Sequence, residues 1–150
     1  MSFDPIAVRL EAARSVVRDA AALALSMRPQ PGGPTGTLKG RQDYLTEADG
    51  AVEALVSRRI QELFPEDGFQ GEEGGLTREG QFRWVVDPID GTSNFARGRD
   101  RWCVSLGLLE GNVPVAGVIE APALNEVFTA QKGKGAFLNG KPIKASPISN

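Results

Sequence analysis

Histidine is absent from all 150 residues and there is only one cysteine, Cys103. The first absence removes Ser-His-Asp and Cys-His catalysis and any His-ligated zinc from this chain. The second removes an internal disulfide and a thiolate metal cluster. Acid, base and metal chemistry must therefore come from carboxylates, Lys, Tyr, Thr and water. No large charge excess is present either: 17 basic against 19 acidic side chains give a net charge of −2. That balance offers no basic face for a nucleic-acid backbone or an anionic membrane. The longest apolar run, 20–25, is far short of a bilayer span, which needs about 20 residues. No charged-then-apolar leader precedes a small-residue cleavage site, so the expected compartment is the cytoplasm. What is present is ordinary globular composition, 41% hydrophobic and 24% charged, in a length that suits one domain.

Asp4-Pro5 opens a first helix, because Asp accepts from the orphan amides and Pro fits the first turn. Ile6, Leu10, Ala13, Val17, Ala20, Ala21 and Ala24 form its apolar stripe, and the helix is expected to end near Met27. The stretch 28–40 holds too many Pro and Gly residues for a regular element and reads as a mobile loop. Val52, Leu55, Val56, Ile60 and Leu63 share one face, which predicts a second helix over about 47–63, stopped by Pro65. Beyond it, β-favouring runs at 69–72, 82–86, 102–109, 113–120, 126–131 and 136–138 alternate with short turns, among them Asn139-Gly140. Such short connections predict an antiparallel meander. The fold class is therefore α+β, with two N-terminal helices packed on one face of an antiparallel β-sheet.

Three acidic clusters stand out: Asp43-Tyr44-Leu45-Thr46-Glu47-Ala48-Asp49, Gly71-Glu72-Glu73, and Asp87-Pro88-Ile89-Asp90-Gly91-Thr92. Trp84-Val85-Val86 reads as a buried strand, yet it runs straight into Asp87 and Asp90. A carboxylate there must be paired or bound to metal, since leaving it uncompensated is costly. Between Gly71 and Thr92 five carboxylates face only two basic residues, Arg78 and Arg83. Oxygen ligands with excess negative charge suit magnesium, calcium or manganese. If a helix starts after Gly91, its free amides favour a phosphate, and metal ligands beside a phosphate cradle imply phosphoryl chemistry. Taken singly, Glu72-Glu73 is a solvated loop edge, Asp49 a helix cap and Asp87 to Thr92 a turn; together they are a site.

With these motifs in this order, and with Phe95, Gly117-Val118-Ile119, Gly133-Lys134-Gly135-Ala136-Phe137 and Asn139-Gly140 following, the sequence resembles the inositol monophosphatases. These belong to the sugar-phosphatase superfamily, together with fructose-1,6-bisphosphatases and 3',5'-bisphosphate nucleotidases. The resemblance covers the chain from about Asp43 to the end. It implies that Glu72, Asp87 and the Ile89 carbonyl hold a first Mg2+, and that Asp87 and Asp90 share a second. It also implies that Asp49 and Thr92 position and deprotonate the attacking water, that the Gly91 and Thr92 amides bind phosphate, and that Glu73 assists at a weaker metal. Lys39 lies near where the family often carries a lysine on its mobile loop, at a spacing to Asp43 that departs from the pattern.

Family members run to well over two hundred residues, and their later part supplies a further metal-binding aspartate, whereas Asp100 is the last aspartate here. The resemblance thus implies one domain, 1–150, equivalent to the N-terminal half of the layered αβαβα sugar-phosphatase fold, with the C-terminal half absent and little activity alone. The implied function is Mg2+-dependent hydrolysis of inositol monophosphate or a related small polyol phosphate. Histidinol phosphate, fructose bisphosphate and 3',5'-bisphosphate nucleotides are alternative substrates, and a non-catalytic metal- or phosphate-binding half is an alternative role. A homodimer, or association with a complementary chain, is expected. Cys103, with no cationic neighbour closer than Arg101, reads as an inert buried thiol.

Overall fold

The structure is a computed structural model that describes residues 3–29, 38–71, 75–78 and 80–146, with the side chains of 38–43 and 75–78 left aside. Helix α1, Pro5–Met27, starts where Asp4 accepts from the amides of Ile6 and Ala7 at 3.0 and 3.1 Å. Its buried stripe is Ala13, Val16, Val17, Ala20, Ala21 and Ala24. Four alanines on that stripe let a neighbouring helix approach closely. The neighbour is α2, Leu38–Leu63, which buries Ala48, Val52, Val56 and Ile60 against the same core.

Helix α2 begins nine residues earlier than 47, so the end of the expected loop at 28–40 is helical. Leu45 and Ala48 pack on the core, and that burial carries the helix back past Gly40, whose cost is only about 1 kcal/mol. Asp49 consequently lies inside the helix and is not a residue near its start.

Among the described residues eight strands form one sheet in the order β2-β1-β3-β4-β5-β6-β7-β8. They are β1 Gly68–Gly71, β2 Gly75–Arg78, β3 Phe82–Asp90, β4 Cys103–Glu110, β5 Val113–Ala121, β6 Glu126–Gln131, β7 Gly135–Leu138 and β8 Lys141–Ile143. From β3 to β8 it is the expected antiparallel meander. The sheet as a whole is mixed, because β1 pairs with β3 in parallel while β2 folds back on its other side. The expectation of an all-antiparallel sheet fails there because β2 occupies the edge, which forces the chain to pass β1 before it enters β3. Neither β2 nor β8 has a strand signature of its own. Each pairs with an edge that offers unpaired backbone groups, and Pro142 is tolerated in β8 because that strand is the last.

Both helices lie on one face of the sheet. Trp84 and Val86 of β3 stand opposite Leu108 and Leu106 of β4 and join α1 and α2 in one core. Asp67, between α2 and β1, is the only charged residue buried there among the described residues. It takes two bonds of 2.8 Å from the Arg9 guanidinium and one of 2.9 Å from the Trp84 indole. Arg9 in turn lies over the rings of Phe82 and Phe64. On the opposite face Gly107 pairs with Gly117. With no side chains at that pair, a mainly apolar hollow of about 210 Å³ opens between Ile119, Phe128 and Ile143.

Candidate active site

Strand β3 delivers the central carboxylates. Asp87 and Asp90 are three residues apart, so in a regular strand they would point to opposite faces. Here Asp87 pairs with Ser105 and Asp90 with Cys103, with a shift of register between them. Three steps along β3 match two along β4, which is a β-bulge. The extra residue returns Asp90 to the face that carries Asp87, Ser105 and Cys103, away from the helices. Ile89 goes the other way and is fully buried in the core.

Cys103 reports the resulting charge. Its thiol, half-buried, is pushed up from an ordinary 9.0 to about 11, first by burial and then by the charges of Asp90 and Asp87. Asp90 and Asp87 both raise the thiol, so two carboxylates stand side by side on this face, and carboxylate oxygens are the donors that fit a hard divalent cation. Among the described residues no three Asp, Glu or Cys side chains converge closely enough to hold a cation alone. The expected burial of Cys103 is only partial, and its place beside the two aspartates had no signal in the sequence. At pH 8 the fraction of thiolate is about a hundredfold lower than for a thiol of pKa 9.0. Alkylation of Cys103 by iodoacetamide in the metal-free protein is therefore expected to be slower than that of a free cysteine by about the same factor. A rate equal to that of the free thiol would contradict the burial and neighbouring charges that raise the thiol.

Immediately after β3 the chain turns at Gly91 into a short helix α3, Thr92–Ala96. Gly91 has φ +93°, and a Cβ there would sit 2.7 Å from the Arg101 carbonyl and 3.1 Å from Trp102 Cα. The turn is clamped to that segment a second time, since the Asn94 amide donates to the same Arg101 carbonyl at 2.9 Å. Phe95 and Trp102 lock edge to face beneath it, 4.9 Å between centroids. Arg28, just past α1, holds Asp100 at 2.8 Å and the Arg99 carbonyl from the outer side. Thr92 is exposed at the start of α3, and the amides of such a first turn have no partner inside their helix. Asn94, Arg101 and Trp102 were not foreseen as supports of the turn, because the contacts that reveal them are made across the loop. Gly91→Ala is expected to cost about 2–4 kcal/mol, from left-handed backbone plus the clash with Arg101. Urea denaturation checks it, and a loss below about 0.5 kcal/mol would show that the turn yields easily.

Asp49 comes from α2, which packs against both β3 and α3, and its Oδ1 is buried. The structure thus gathers Asp87, Ile89, Asp90, Gly91 and Thr92 at the β3–α3 junction, and Asp49 belongs to α2, which packs on the helix side of β3. Glu72, Glu73 and the side chain of Lys39 lie outside the described residues. Gly71, the last residue of β1, is described, and the parallel register with β3 (Gln70 beside Val85) ends β1 one step short of the level of Asp87.

Residues 6–149 match the model of the inositol monophosphatase family. Over 116 residues the chain is 45% identical to "Inositol monophosphatase 1" of Solanum lycopersicum, covering 74% of this chain and 42% of that protein. It is 42% identical over 108 residues to "Nus factor SuhB" of Xylella fastidiosa, covering 72% of this chain and 39% of the relative. The fold superposes on the inositol monophosphatase of Anabaena (Nostoc) sp. PCC 7120 with a TM-score of 0.78 at 34% identity, over 97% of this chain and 52% of that one. The chain spans about two-fifths of the length of these curated relatives. No described helix is long and apolar enough to cross a membrane. With its acidic motifs set on a strand bulge and a clamped glycine turn, and its sequence matched from residue 6 to residue 149, the chain belongs to the inositol monophosphatase family.

Proposed function

We propose that this chain carries the metal and phosphate site of a cytoplasmic, Mg2+-dependent phosphomonoesterase that hydrolyses inositol monophosphate or a related small polyol phosphate by attack of water. The observation that carries the reading is the β3 bulge, which sets Asp87 and Asp90 on one face directly before the Gly91–Thr92 turn. In this reading Glu72, Asp87 and the Ile89 carbonyl would hold one Mg2+, Asp87 and Asp90 would contribute to a second, and Glu73 would support a weaker site. The bound cations supply an acidified water and charge neutralisation at the leaving oxygen. Asp49 takes the proton of the attacking water while the Thr92 hydroxyl orients it, and the Gly91 and Thr92 amides hold the phosphate oxygens. Lys39 remains a possible further residue of the site.

The relatives are more than twice as long as the matched stretch, which is consistent with further ligands and substrate contacts on protein beyond these residues. We take the chain as one domain, equivalent to the N-terminal half of the layered fold, and weakly active alone. The apolar hollow on the open sheet face is where a second copy or a complementary chain would pack. That hollow also favours a second reading, a non-catalytic metal- or phosphate-binding half that needs a partner.

Phosphate release from inositol 1-phosphate, histidinol phosphate, fructose 1,6-bisphosphate and a 3',5'-bisphosphate nucleotide, each with Mg2+ and with a chelator, tests the proposal. The 150-residue chain is to be assayed alone and together with a C-terminal half from a family member. The expected result is hydrolysis of the polyol phosphate that requires Mg2+ and rises about a thousandfold on completion, the equivalent of about 4 kcal/mol in the barrier. Hydrolysis indifferent to the chelator overturns the metal mechanism. Magnesium binding without hydrolysis in any combination favours the non-catalytic reading.

A further inference from the structure

We propose that two copies of this chain pack open sheet face to open sheet face, with Lys141 of each copy set against Asp87 and Asp90 of the other, so that this dimer and a bound Mg2+ exclude one another; the exclusion rests on the reading of the two aspartates as metal ligands. Residues directly opposite each other on antiparallel strands point to the same face. Asp87 pairs with Ser105, Ser105 with Ile119, Ile119 with Phe128, Phe128 with Leu138 and Leu138 with Lys141. The register thus draws one row across the sheet from β3 to β8, on the face away from the helices. The row opens on a carboxylate, closes on an ammonium group and is mainly apolar between them. Its two ends are five strands apart, roughly 24 Å at the usual strand spacing, too far to meet within one copy. Lys141 is exposed and makes no ion pair among the described residues. Ile119 is 41% exposed and Ile143, beside the apolar hollow, 38%.

Such a row is complementary to itself. A two-fold axis running along the strands lays β3 of one copy over β8 of the other, so Ile119 meets the partner's Phe128 while each Lys141 meets an aspartate. Acid then faces base at both ends and apolar faces apolar in the middle, which is what a contact between identical patches requires and what an unrelated partner would not. Aligned sheets pack about 10 Å apart, a gap that a lysine and an aspartate bridge together. The base is also delivered on a fixed backbone. Lys141 follows the Asn139-Gly140 turn, both residues at positive φ, and Asn139 is tied by bonds of 2.9 Å from the Val127 amide and 3.0 Å to the Asn125 carbonyl. An ammonium group seated on Asp87 and Asp90 takes the negative charge that a cation would use. Mg2+ therefore binds the separated chains and pulls the dimer apart by mass action.

The test is sedimentation equilibrium of the 150-residue chain in chelator and in saturating Mg2+. A dimer is expected in chelator. Lys141→Glu and Ile119→Gln should each weaken it about tenfold or more, because every change counts twice in a symmetric contact. Both positions are exposed, so neither change touches the core. Exchanging the charges, Lys141→Asp together with Asp90→Lys, is expected to restore much of the association that Lys141→Asp alone removes. Mg2+ should weaken the unaltered dimer about tenfold or more. A chain that stays monomeric in chelator at high micromolar concentration overturns the proposal, as does a dimer indifferent to both single variants. If calorimetry shows Mg2+ binding to the monomeric Ile119→Gln variant while the unaltered dimer persists in Mg2+, the exclusion is overturned and the metal reading stands. If that variant binds no Mg2+, the metal reading falls and the exclusion with it, and the charge exchange alone then upholds or overturns the contact between copies.

Discussion

Asp67→Ala is expected to destabilise the protein by about 3–5 kcal/mol, the cost of leaving one member of a buried charge pair behind. Asp67 is only 3% exposed and carries both Arg9 bonds as well as the Trp84 indole bond. Its removal strands a guanidinium that Phe64 and Phe82 cover from water, and orphans the buried indole N–H of Trp84 in β3. The network joins α1, the α2–β1 connection and β3, so the loss falls on the packing of all three. Asp67→Asn keeps acceptor and donor groups of similar size and should cost less. Replacing Arg9 and Asp67 together by apolar residues of similar volume is expected to recover much of the loss, because buried pairs often do no better than a well-packed apolar substitute. Urea denaturation of the four proteins checks the series. A single Asp67→Ala variant within about 1 kcal/mol of the unaltered protein would show that the pair is already hydrated or dispensable.

Asp87→Asn is expected to weaken Mg2+ binding at least tenfold, or about 1.4 kcal/mol, while leaving the fold intact. Asparagine keeps the shape but carries no charge, and Asp87 is the residue proposed to serve two cations. The same change should be visible without metal. Asp87 is one of the two carboxylates that raise the Cys103 thiol, so its neutralisation lowers that pKa and speeds alkylation. Thiol reactivity should therefore rise as Mg2+ affinity falls. In the unaltered protein the sign for stability follows from the same shift. The folded thiol holds its proton to about 11 against an ordinary 9.0, so the stabilisation is complete below about pH 9 and is lost as pH rises towards 11. Unchanged metal affinity in Asp87→Asn, with faster alkylation, would leave the geometry standing and remove Asp87 from the cation.

The local sequence was enough for whatever depends on neighbours along the chain. Asp4-Pro5 marks the start of α1 because a cap and its amides lie within three residues of one another. The order of β3 to β8 follows from short turns that allow only antiparallel returns, and the family resemblance rests on motifs of contiguous residues. Other features are settled by contacts between distant segments. The start of α2 follows from burial of Leu45 and Ala48 in the core, and the pairing of β1 with β3 depends on β2 taking the edge. The bulge that turns Asp87 and Asp90 to one face needs β4 beside β3, since the residues between them, Pro88-Ile89, read as a turn when taken alone. Along the sequence Glu53 is one more charged residue of α2. Only the approach of α2 to the end of β1 brings its carboxylate onto Gly71, because a helix and a strand separated by the connection through Pro65 meet through packing, and no spacing in the sequence records that distance.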